Sequence, residues 1–171
     1  EQSMIRWIPK GKDKYEYDFS IMDKYLDSAQ KNLGKPKLVI FLVWDICLSK
    51  ESLKRGLWGK DMGGAAVIEA RQGLLEKGPR VTSWDPASKE ANMIFLPRYE
   101  DAASKALWQP LWTQLQKKMA ARGLDKCMML GIMPDLWPNK LEVAFWKDVS
   151  GGLAWAIHGH QGAPGDAAPG N

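Results

Sequence analysis

Three places in this chain put acids, imidazoles or indoles where chemistry could use them. Asp45 follows directly on Trp44 at the end of the apolar run Leu38 to Trp44, and Asp135 and Trp137 stand in a Pro134 to Pro138 stretch after a second run, Cys127 to Met133. His158 and His160 follow a third, Leu153 to Ile157. Together they offer two carboxylates, two imidazoles and two indoles, a set suited to acid/base work on a sugar whose apolar face stacks on Trp44 and Trp137. His158 and His160, two apart, also project to one side of an extended segment, as metal ligands do.

Each component has a plainer structural role as well. An Asp after a strand caps helices and forms turns. A tryptophan buries a large ring in a core, and paired histidines near a chain end can simply be solvated. The coincidence of all three groups at strand ends favours the functional reading, because parallel α/β architectures bind ligands at the carboxyl ends of their strands.

The elements that would position these groups alternate. Met4 to Ile8 reads as a short strand and Lys10 to Asp18 as a loop. Ser20 and Asp23 have capping-box spacing ahead of a helix carrying Met22, Leu26, Ala29 and Leu33, which Gly34 and Pro36 stop. Leu38 to Trp44 is unbroken and branched, the pattern of a strand covered on both faces. Residues 46 to 100 form a long excursion, in which Val81 to Trp84 and Ala91 to Leu96 flank Asp85 to Glu90 as a β-hairpin.

The apolar stripe Trp108, Leu111, Trp112, Leu115 and Met119 predicts a helix over 104–122, with Pro110 imposing a kink or a late start. Cys127 to Met133 is a second buried-type strand. Asn139 and Glu142 cap a helix running to Asp148, with Leu141 and Phe145 stacked, and Gly151 and Gly152 end it. Leu153 to Ile157 is a third strand, and residues 161–171 a flexible Gly/Pro/Ala tail.

This order predicts an α/β chain of parallel (β/α) units, a partial or degenerate TIM-type barrel with a hairpin-containing insertion after an early strand, in one domain over residues 1–160. Four such units are about half of an eight-stranded barrel. Self-association, or a remainder of the barrel supplied by a longer parent, is therefore expected.

Composition excludes several alternatives. With 45% hydrophobic and 26% charged residues, the chain is neither disordered nor collagenous. No window is apolar enough for a membrane-spanning helix, and the chain opens with no signal peptide. The net charge of +4 comes from bases scattered among acids, so neither nucleic acid nor a membrane is an expected partner. Cys47 and Cys127 are too few for a disulfide scaffold and are expected to be free thiols. There is no P-loop, dinucleotide fingerprint, nucleophile elbow, Cys-x-x-Cys or zinc-protease helix, so no cofactor and no bound metal enter the main reading.

The blocks YDFSIMDKYLDSAQKNLGKPK, LVIFLVWD, KGPRVTSWDPASKE, LPRYED, ALWQPLWTQLQKKMAARGLDKCMMLGI and LAWAIHGH, spread from Tyr17 to His160, resemble the catalytic domain of glycoside hydrolase family 123-like proteins. The resemblance implies a (β/α)8-type barrel in a secreted or periplasmic protein. It also implies β-N-acetylgalactosaminidase activity that retains configuration by substrate assistance, an exception to the two-carboxylate scheme. In that chemistry the sugar's acetamido oxygen is the nucleophile, an Asp orients the acetamide, and an adjacent Glu is acid/base. The corresponding place here is Asp135-Leu136, with leucine where the family has its glutamate.

The resulting expectation is a glycoside hydrolase acting on a carbohydrate substrate that contains N-acetylamino sugars. Asp135 would orient the substrate, Asp45 would be the candidate acid/base, and Trp44, Trp137, His158 and His160 would bind the sugar. Two alternatives stand beside it: a non-catalytic carbohydrate-binding module that has lost the acid/base, and a metal-dependent hydrolase built on His158, His160 and the two aspartates.

Overall fold

The computed structural model describes residues 2–44, 76–132 and 138–156. Its elements run β1 (Arg6–Pro9), β2 (Tyr15–Asp18), α1 (Ser20–Leu33), β3 (Val39–Trp44), β4 (Arg80–Asp85), β5 (Glu90–Phe95), α2 (Ser104–Ala121), a 3-10 turn (Asp125–Cys127), β6 (Met128–Ile132), α3 (Lys140–Ser150) and β7 (Trp155–Ala156).

The strands form two sheets, ordered β2-β1-β4-β5 and β3-β6-β7, and this overturns the expected barrel. A TIM-type barrel needs one continuous parallel series in which every strand has two neighbours. Here β1 pairs antiparallel with β2, and β4 antiparallel with β5, so only the β1–β4 contact in the first sheet is parallel. Among the described residues both sheets are open-edged. Apart from β2, the elements follow the expected order, but that order does not specify which strands pair.

The first sheet also corrects the reading of Lys10 to Asp18 as a loop, because Tyr15–Asp18 is a strand. Its alternation is only four residues long and sits among charges. Tyr15 and Tyr17 both set their rings edge-on to Trp7, with centroids 5.2 and 5.0 Å away, while Glu16 points outward to Lys10 at 3.0 Å. Gly11 and Asp13, at φ +116° and +54°, turn the chain between β1 and β2.

The second sheet fulfils the expectation of parallel, adjacent strands. Val39 stands opposite Met128 and Leu130 opposite Trp155. Phe41 on β3 and Leu130 on β6 turn toward the helices, while Ile40 and Leu42 on β3, and Leu38 just before it, are 44–60% exposed. Ile40 and Leu42 lie over Gly131 of β6, where a Cβ would come within 2.4 Å of Ile40 Cγ2.

The helices pack largely as their periodicity predicts, with differences in detail, one being that Leu33, expected in the apolar stripe of α1, is 85% exposed at its end. α1 buries Met22 and Leu26, but no side chain caps it at Phe19; Asp18 Oδ1 instead accepts from the Ser20 N–H at 2.9 Å. Asp23, expected in a capping box, bonds Lys118 at 2.8 Å and Arg122 at 3.1 Å on α2. α2 starts at Ser104 and passes through Pro110, so no late start occurs, and its buried stripe contains the five predicted residues. α3 has the predicted capping box and ends at Gly151 in the left-handed region. Its buried side carries Trp146 and Val149, whereas Leu141 is exposed.

One core joins the sheets. Trp7 contacts Trp108 at 5.2 Å between centroids, Trp108 contacts Trp146 at 5.3 Å, and Trp112 bridges Trp146 to Phe41 of the second sheet. The tryptophans of the described core are thus mutual edge-to-face partners, each pair adding about 0.5–1.5 kcal/mol beyond its area burial. Cys127 is a half-buried free thiol; Cys47 lies outside the described residues. No described helix is long and apolar enough to cross a membrane.

Candidate functional site

Because β3, β6 and β7 are parallel, their carboxyl ends at Trp44, Ile132 and Ala156 share one edge of the sheet. The sequence-predicted residues Asp45, Asp135, Trp137, His158 and His160 follow those ends in the chain and lie outside the described residues, as does the side chain of Trp44.

Beside this edge the structure adds a group that sequence reasoning missed, in the connection from β5 to α2. The connection is held by its own polar groups. Arg98 N–H donates to Asp101 Oδ2 at 2.8 Å, Asp101 N–H to the Arg98 carbonyl at 2.9 Å, and the buried Ser104 hydroxyl to the carbonyls of Pro97 and Arg98 at 3.0 and 2.5 Å. Its geometry is therefore fixed by several bonds at once.

Of the three side chains that leave this turn, Tyr99 reaches the sheet edge and Arg98 and Glu100 reach Glu76 and Asn139. Tyr99, buried against Phe145 and Trp146 with centroids 5.1 and 5.4 Å away, donates its hydroxyl to the Val43 carbonyl near the end of β3. Arg98 forms ion pairs with Glu76 and with Glu100, the latter at 3.0 Å. Glu100 Oε1 also accepts from Asn139 Nδ2 at 2.9 Å. Asn139 Oδ1 in turn accepts from the N–H groups of Leu141 and Glu142 at 2.9 and 3.0 Å, which ties the carboxylate to the start of α3.

Glu100 Oε2 is buried and has no hydrogen-bond partner. Burial pushes the Glu100 carboxyl toward higher pKa, but the hydrogen bonds from Asn139, Arg98 and its own backbone N–H and the Arg98 charge together outweigh it and hold the group below the usual carboxylate range. The residue is therefore ionised at neutral pH, with Oε1 bonded by both Arg98 and Asn139. It can accept a hydrogen bond; it cannot serve as a proton donor.

The sequence signal for this group was the block LPRYED, in which a proline closes a strand and is followed by a base, a phenol and two acids. Only the fold brings it to the parallel sheet's carboxyl edge. Among the described residues no cluster of His, Cys, Asp and Glu could hold a metal ion.

The matching family model is that of the glycoside hydrolase 123 catalytic domain, over residues 1–140. The chain belongs to this family. The match spans the first sheet, β3, α2, β6 and the Arg98, Glu100 and Asn139 group; β7 lies beyond it. No curated protein matches the chain.

Proposed function

We propose that this glycoside hydrolase 123 member acts on glycans containing N-acetylamino sugars, with retention of configuration through participation of the sugar's own acetamido group. The observation that supports this reading is the family match over residues 1–140. In this reading Asp135 orients the acetamide, Asp45 is the acid/base, and Trp44, Trp137, His158 and His160 bind the sugar. Trp44 ends β3, and the others belong to segments that follow the carboxyl ends of β3, β6 and β7.

Leu136 favours a second reading, a carbohydrate-binding module without turnover, because leucine cannot transfer a proton. Proton donation to a glycosidic oxygen supplies a factor of roughly 10² to 10⁴, and an aryl glycoside with a good leaving group needs it much less.

Comparing a nitrophenyl β-N-acetylgalactosaminide with a natural disaccharide tests both readings. In the hydrolase reading the aryl glycoside is cleaved, and Asp45→Asn abolishes activity on the natural linkage while sparing the activated substrate more. Binding without turnover of either substrate, weakened by Asp135→Asn, selects the module. Full activity in both variants defeats both readings.

A further inference from the structure

We infer that the end of the molecule opposite the candidate site docks on an anionic phospholipid membrane, through a cluster of lysines around the projecting side chain of Leu33. The inference is independent of the carbohydrate reading and goes beyond it.

Along the sequence the bases are scattered among acids, but the fold gathers one group of them. α1 and α2 lie side by side with their carboxyl ends together, because Lys118 bonds Asp23 at 2.8 Å and Arg122, one turn later, reaches Gln30 at 3.4 Å. β3 and β6 start below these ends. Their first residues, Val39 and Met128, stand opposite each other, so Lys37 and Lys126 enter the sheet as neighbours, each two residues earlier. Lys35 reaches across to the end of α2, its Nζ 3.7 Å from where a Cβ on Gly123 would stand.

Lys31, Lys35, Lys37, Lys117 and Lys126 are thereby collected, all exposed, at the amino edge of the parallel sheet. Residues 31–38 hold no acid and residues 117–126 hold Asp125 alone, 3.6 Å from Lys126. Among the described residues no carboxylate pairs with Lys31, Lys35, Lys37 or Lys117. Complementing the dipoles of two helix ends needs only a base in each last turn, and Lys31 and Lys118 supply it. The further lysines repel one another until an outside anion meets them.

A second observation selects the anion. Leu33, the last residue of α1, is the most exposed of the large apolar side chains described, at 85%, and Leu38 is 46% exposed. Only Gly34, Lys35, Pro36 and Lys37 separate them. An apolar tip ringed by bases fits a bilayer surface, where lysines meet lipid phosphates and leucines enter the acyl boundary; the two attractions add. A nucleic acid offers phosphates but no apolar layer for Leu33. Docked in this way, the carboxyl edge of β3, β6 and β7 faces away from the membrane.

Co-sedimentation of the full chain with vesicles tests the surface, with thermal unfolding to verify that each variant is folded. The expected result is binding to phosphatidylcholine vesicles containing about a third phosphatidylglycerol and none to pure phosphatidylcholine. Raising salt from about 0.1 to 1 M, which shortens the Debye length from about 10 to 3 Å, should release the chain. Lys35→Gln with Lys37→Gln should weaken the partition roughly tenfold or more, at about fivefold per lysine. Lys12→Gln with Lys14→Gln removes the same charge from the β1–β2 turn and should change it less than about twofold. Leu33→Ser should weaken it about threefold or more while leaving its salt dependence as it was. Absence of binding to the anionic vesicles, equal binding to both kinds, or equal losses in the two lysine pairs overturns the inference. Vesicle binding that Leu33→Ser leaves unchanged assigns the lysines to polyanions in general, duplex DNA among them, and overturns the membrane.

Discussion

Tyr99 donates its hydroxyl hydrogen to the carbonyl of Val43, the one residue of β3 that the ladder with β6 skips. Leu42 stands opposite Gly131 and Trp44 opposite Ile132, so Val43 is the extra residue of a bulge, whose backbone groups lack ladder partners. A side chain from the β5–α2 connection supplies the missing donor and fastens that connection to the strand end.

Removing that hydroxyl alone should be measurable. Tyr99→Phe keeps the ring among Trp108, Phe145 and Trp146 but leaves a carbonyl unpaired, so urea unfolding should show a loss of about 1–2 kcal/mol with an unchanged m-value. A loss below a few tenths would mean that water satisfies Val43 equally well.

Gly78 is held against the same connection. A Cβ there would lie 2.0 Å from the Leu96 carbonyl oxygen and 2.8 Å from the Arg98 nitrogen, both backbone atoms that cannot swing away. Gly78→Ala should cost about 3 kcal/mol or more and displace Arg98 and Glu100. Gly151, at φ +74° and ψ +28° with open space around its Cβ position, is the control: its alanine variant pays only for the left-handed backbone, about 1 kcal/mol. Equal losses in the two variants would refute the steric account.

Asn139 serves two neighbours with two different atoms. Asn139→Asp preserves the acceptor that caps α3 but removes the donor to Glu100 and sets a second carboxylate against it, whereas Asn139→Ala removes both roles. Loss of the cap costs about 1 kcal/mol. The aspartate variant should therefore regain stability as pH is lowered toward 4, where the carboxylate pair can take up a proton, and the alanine variant should not. Parallel pH profiles of Tm for the two would contradict this.

Acid should weaken the fold through three carboxylates. Burial raises the pKa of Asp18, Asp23 and Glu100, but bonds from Ser20 and Arg6, from Lys118 and Arg122, and from Asn139 and Arg98 respectively outweigh it and leave all three lowered. Groups depressed in the folded state contribute stability above their unfolded pKa and lose it as pH falls through the folded value. Tm should hold from neutrality to about pH 5 and decline below about pH 4. Asp23→Asn should lower Tm at pH 7 and reduce the decline; an undiminished acid slope would assign the effect elsewhere.

How much of this could be read from the chain follows the length of each pattern. The Trp108 to Met119 stripe is long enough to specify an element and its buried side, and the Asn139 and Glu142 spacing specifies a cap; Leu38 to Trp44 specifies a strand but not its burial, since the side carrying Leu38, Ile40 and Leu42 is exposed rather than covered. Tyr15–Asp18 offers only two inward rings among charges, too short a signal to outweigh its composition. Pairing between distant strands leaves no local mark, so the split into two sheets was illegible. For the same reason Glu100 was missed: its neighbours Arg98 and Asn139 become a clamp only when β5 and β6 are placed. The residues read as the site from sequence follow strand ends, and those ends do share an edge.

The parallel pairings also set how this chain must fold. Trp7 meets Ser83 and Val39 meets Met128, so each pairing closes a loop of roughly 75 to 90 residues before any ladder bond repays the lost chain entropy. The β4–β5 hairpin and the described helices α1, α2 and α3 need only near neighbours and can form first, within microseconds. Refolding should then wait on the long closures, on the millisecond-to-second scale of non-local topologies. During that wait the apolar faces of β3 and β6 stand without their partner strands, so yield on refolding should fall as protein concentration rises.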